Sequence, residues 1–146
     1  MGNNKRHLGY LHETSKSPKI QTKIIDNKIA RELPVLFGFK NLDLNKSPFN
    51  CSIKHASSLL YVFQILSLFS KTMRKQVDIS FKNCHPVPED QVKKHNLSYF
   101  VSLAPNNKLH QLGRKRTKER IIGYYDNQIN LFQICLLDLN HKLSGD

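Results

Sequence analysis

Apolar residues are sparse and irregular over residues 1–32, then gather into separated runs from Pro34 onward. The first part reads as a flexible basic arm, and 33–146 as a single domain. Within the arm, Ile20, Thr22 and Ile24 alternate with Gln21 and Lys23, the period of a short strand that Asp26-Asn27 would turn. The run VLFGFKNLDL is rich in Val, Phe and Leu and predicts a first core strand over 34–42. Turn residues follow in NKSPFNCS, and Ser52 is a fitting N-cap for a helix from Ile53 to Lys75. At about 100° per residue, Leu59, Leu60, Phe63, Leu66, Phe69 and Met73 share one broad face, with Tyr61, Gln64, Lys71 and Lys75 opposite. A face that wide covers a sheet, which assigns Phe63 to the core.

Two prolines bracket Val87 in FKNCHPVPED and exclude a regular helix there, leaving a loop or an irregular edge. EDQVKKHNL has room for a turn or two of helix, while SYFVSL, residues 98–103, alternates as a strand does. The clearest signal comes last. Glu119–Tyr125 and Asn130–Leu139 are rich in Ile, Tyr, Phe and Leu and flank turn chemistry in Asp126-Asn127-Gln128, which predicts an antiparallel hairpin. Leu131, Phe132, Ile134, Cys135, Leu136 and Leu137 make the second strand apolar on both faces, so it belongs inside the sheet with Ile134 at its centre. The expected fold is α+β: a small antiparallel sheet covered by one long helix, with a basic N-terminal arm.

Charge narrows the partners. A net +12 on 146 residues calls for an anionic surface: nucleic acid, anionic lipid or an acidic protein. The longest apolar run, Ala56 to Ser70, is broken by Gln64 and serines and falls short of the roughly 20 residues of a membrane-spanning helix. Cys51, Cys84 and Cys135 lack paired metal spacing and read as free thiols of a reducing compartment. The N-terminus has no apolar segment of a secretory signal, and Arg6 stands where a myristoylation pattern wants Ser or Thr. A cytoplasmic location is expected. Cys84-His85 with Glu89 and Asp90 nearby offers too few ligands at zinc spacing, so no metal is expected, and no nucleotide-cofactor pattern occurs.

GRKRTKER concentrates Arg114, Lys115, Arg116, Lys118 and Arg120 just ahead of the hairpin, a cluster suited to several phosphate contacts. The hairpin brings Arg120 and His141 toward the same end of the ribbon. There a guanidinium fork would hold a phosphate and an imidazole would move a proton, two functions that metal-free RNA cleavage requires. Tyr124 is placed to stack on a base, and Lys142 adds a backbone contact beside His141.

ERIIGYYD with Arg120, and DLNHK with His141, resemble the C-terminal layout of the RelE/ParE-like toxin superfamily of bacterial ribosome-dependent RNases and gyrase poisons. In that superfamily an arginine opens a strand, and a His, Arg or Tyr closes the next. The resemblance is densest from Leu109 to Leu143, and Lys142 stands where an aromatic is usual. The same Arg-x-x-Gly and Asp-x-Asn-His ending is similar to small uncharacterised bacterial proteins. The toxin resemblance implies a metal-independent endoribonuclease of a toxin–antitoxin or phage-defence system. Arg120 and His141 would then be catalytic, RNA or the ribosome the target, and an acidic antitoxin the partner. The alternative is a non-enzymatic basic interaction module for nucleic acid or an acidic protein.

Overall fold

The computed structural model describes residues 31–126 and 130–144, apart from the side chains at 78, 79 and 144. The strand expected around Ile20–Ile24 and the turn at 127–129 lie outside those residues. Five strands are present: β1 (Leu36–Gly38), β2 (His85–Pro86), β3 (His110–Gly113), β4 (Arg120–Asp126) and β5 (Leu131–Asp138). They form one sheet in the order β1-β5-β4-β3-β2. β1 runs parallel to β5 and the other pairs are antiparallel, so the sheet is mixed and larger than a hairpin with one added strand. The α+β class holds.

The expected hairpin is β4–β5, and β5 lies inside the sheet between β1 and β4. Its register carries an offset. Ile122 pairs with Leu136 but Gly123 pairs with Ile134, which leaves Cys135 as an extra, bulged residue. Side chains alternate between faces along a strand, so one extra residue inverts the pattern beyond it. Phe132 and Ile134 accordingly belong to one core cluster together with Leu137 and Leu139, while Cys135 and Leu136 belong to the other. Gly123 makes the bulge feasible, because a Cβ there would run into the Gln133 carbonyl oxygen and the Phe132 ring.

Each face of the sheet has its own cover. On one side α1 (Ala56–Phe69) and α2 (Arg74–Ser80) contribute Val62, Ile65, Phe69 and Val77 against Ile121, Phe132 and Ile134. On the other, α3 (Glu89–Lys94) and α4 (Ser98–Leu103), with their flanks, bring Val92, Leu97, Phe100 and Ala104 against Ile122, Cys135 and Leu136.

The single long helix expected over 53–75 is therefore corrected to a 3₁₀ turn at Ile53–His55, then α1 and α2. The break has local and distant causes. Thr72 Oγ1 donates to the Leu68 carbonyl at 2.8 Å and Ser70 Oγ to that of Ser67 at 3.0 Å, competing with the helical ladder. Met73 is extended and pairs across to Pro34, and Arg74 N donates to the Leu33 carbonyl. The buried stripe of α1 is Ser58, Val62, Ile65 and Phe69, at helical spacing. It is rotated from the expected face, and Phe63 is 66% exposed. The strand expected at 98–103 is instead α4: Leu97, Phe100, Val101 and Ala104 recur with a helix's period and point into the second core cluster. The first strand is also shorter than 34–42, because only Leu36–Gly38 pair with β5.

Candidate nucleic-acid interface

The residues between β3 and β4 carry Arg114, Lys115, Arg116 and Lys118, all exposed. Their loop is closed at its base by the Gly113–Arg120 pair. Its shape is fixed at one atom. The Arg114 carbonyl accepts from Thr117 N at 3.4 Å, Thr117 Oγ1 at 3.2 Å and Asn83 Nδ2 at 3.0 Å. Arg116 takes the left-handed backbone conformation that turns the chain, φ 68°. Four cations are thus displayed from a tied turn.

Arg120 faces the other way. It is 5% exposed, and its Nη1 donates to the carbonyls of Thr117 at 2.7 Å and Glu119 at 2.8 Å. Its side chain lies over Gly113, where a Cβ would collide with it. Burial pushes its pKa down, opposed by the charges of Asp138, Cys84 and Glu119. Across the sheet Arg120 is in register with buried Asp138, whose carboxylate accepts from Lys142 N at 2.8 Å and Leu143 N at 2.9 Å. Asp138 thereby caps the 3₁₀ turn Lys142–Ser144.

His141 precedes that turn in the left-handed region, φ 60°, half-buried. Its Nδ1 is 3.1 Å from the Lys118 carbonyl, which can only accept, so Nδ1 carries the proton. Arg120 and His141 both reach the backbone of residues 117–119. Arg120 does so from the buried side, with its Nη1 turned to carbonyls. Lys142 is exposed at the same end of the sheet. Tyr124 is 7% exposed and its hydroxyl accepts from Asn41 Nδ2 at 2.7 Å; burial raises its pKa. Neither its ring nor the Arg120 fork lies on the surface that displays the loop cations.

A second group of polar residues lines a cleft of about 300 Å³ at the β2–β3 edge: Arg74, Cys84, His85, Pro86, His110 and Tyr125. The Arg74 guanidinium stacks 3.9 Å above the Tyr125 ring, which also meets His110 edge to face. Two histidines here invite an acid–base reading, but the register divides them. His85 is opposite Gln111 and Pro86 opposite His110, so the two imidazoles leave opposite faces of the sheet. The Pro86 carbonyl, 2.8 Å from His85 Nδ1, fixes the proton there, and Gln111 Nε2 donates to His85 Nε2 at 2.9 Å. Among the described residues no three His, Cys, Asp or Glu side chains group as metal ligands, and no helix is long and apolar enough to cross a membrane.

Other segments bring two further lysines beside this loop, Lys71 after α1 and Lys82 after α2. Nothing in their own neighbourhoods marks them. No family model, curated protein or solved structure matches the chain.

Proposed function

We propose that this protein binds RNA through Arg114, Lys115, Arg116 and Lys118, with Lys142 at the rim. The observation that carries the reading is the tied Arg114 carbonyl: three donors hold the turn, so the backbone that displays the exposed cations is set before a ligand arrives. In this reading Arg120 and Tyr124 are supports, one beneath the loop and one in the core. Changing Arg114, Lys115 and Arg116 together to Ala should weaken RNA binding and flatten its salt dependence, by about 0.7 in log–log slope for each lost contact to a single strand. An unchanged affinity and slope would exclude the loop as the binding surface.

A cleaving version of the same reading rests on His141. Its Nδ1–H bond to Lys118 O leaves Nε2 as the basic nitrogen at the loop's edge, the form a metal-independent endoribonuclease needs. The target would be RNA on or off the ribosome, in a toxin-like role with an acidic antitoxin as partner. The non-enzymatic alternative uses the same cations and breaks no bond. Ribosomes and a labelled message, incubated with wild type and His141→Ala, separate the two. Cleavage lost in the variant and indifferent to EDTA supports the enzyme. Equal products, or none from the wild type, leave the binding module.

A further inference from the structure

Two depressions flank Arg114. One, of about 340 Å³, is lined by Ser80, Phe81, Lys82, Asn83, Gly113 and Lys115. The other, of about 370 Å³, is lined by Gln64, Ser67, Leu68, Lys71 and Arg114. Both sides of the loop are fastened to these walls. Arg114 Nη1 donates to Gln64 Oε1 at 3.3 Å, and Asn83 Nδ2 donates to the Arg114 carbonyl. Lys71, Lys82, Arg114 and Lys115 are all exposed, whereas Glu119 and Asp138, the acidic residues at this end of β4 and β5, are buried. Three segments, two of them more than thirty residues ahead of the loop, therefore contribute cations to one strip of surface.

We infer that Lys71 and Lys82 extend the basic loop into a continuous track for the phosphates of one single-stranded RNA segment, running through both depressions past Arg114. The inference rests on the RNA-binding reading above and adds two contact residues and the strandedness of the ligand. The course of the track favours a single strand: a flexible strand can bend from one depression to the other around Arg114, while a stiff A-form duplex keeps to one line. Phe81, half-buried against Phe69, lines the Lys82 depression, and a stacking aromatic is open to unpaired bases and closed to paired ones.

The test titrates the full chain with a fluorescein-labelled uridylate dodecamer and with an RNA duplex of equal length, over a series of salt concentrations. Lys71→Gln and Lys82→Gln should each bind the dodecamer more weakly, with a slope shallower by about 0.7, and the double variant by about 1.4. Lys94→Gln, an exposed charge on α3, serves as the control for net charge and should match wild type. Wild-type circular dichroism and melting in each variant establish that the fold is intact. If Lys71→Gln and Lys82→Gln bind as wild type while the Arg114, Lys115, Arg116 triple variant does not bind, the track is overturned and the loop reading stands. If Lys94→Gln loses as much as they do, the lysines act through net charge and the track is overturned. If the duplex binds as tightly as the dodecamer, the single-strand assignment fails. If wild type binds neither RNA, the underlying reading fails as well.

Discussion

β5 and α1 are the two most apolar stretches of the chain, and the fold uses them differently. β5 lies between neighbouring strands with both faces covered, and Phe132, Ile134, Cys135, Leu136 and Leu137 are buried. α1 lies on one face of the sheet, burying Ser58, Val62, Ile65 and Phe69 while Leu60, Tyr61 and Phe63 remain exposed. The docking stripe recurs at helical spacing from Ser58 to Phe69, and Leu60, Tyr61 and Phe63 fall outside it on the flank the sheet does not reach. An apolar residue is thus evidence of burial only when its element has no side left over.

Mutations can break that contrast. Ile134→Ala, in the sheet's enclosed strand, should cost about 2–5 kcal/mol, read as a shift of the denaturation midpoint. Asp138→Asn should cost less, about 1–2 kcal/mol, because a neutral amide offers one acceptor where the carboxylate serves the amides of both Lys142 and Leu143, beside a buried guanidinium. Removing Cys135 sharpens the comparison through pH. Burial pushes its thiol from the ordinary 9.0 up to about 12. Between those values the unfolded chain gives up a proton that the folded chain keeps, so folding stability falls as pH rises through that window. Stability curves of wild type and Cys135→Ala should converge there as pH increases. The smallest effect belongs to α1: Phe63→Gln should stay within about 0.5 kcal/mol of wild type. A loss comparable to that at Ile134 would mean the helix flank is covered.

What could be read along the chain was whatever a continuous segment decides for itself. The β4–β5 hairpin was legible because its apolar residues are contiguous and flank turn chemistry. The helix boundary at Met73 was not, because it depends on pairing with Pro34, far away in sequence. At Ser98–Leu103 the six-residue window looked alternating, and including Leu97 and Ala104 exposes the helical period. The site divides in the same way. GRKRTKER announces its cations, yet Arg114 and Arg120 share that motif and end in opposite environments. The difference lies in Gly113, whose missing Cβ leaves room for the Arg120 side chain across the ladder. Lys71 and Lys82 join the strip only once three segments have folded together.

The bulge at Cys135 gives β5 a phase, as a dislocation does a crystal row. Residues on either side of it follow the same alternation, displaced by one. Deleting one residue of β5 would therefore act as an inversion and not as a shortening: with the offset gone, one half of the strand would turn the side chains fitted to one core cluster toward the other. Asp138 stands beyond the offset, on the face it shares with Arg120. A frame-preserving deletion scan should find β5 intolerant along its whole length, and a loss far from the basic loop would still withdraw the carboxylate that accompanies the arginine beneath it.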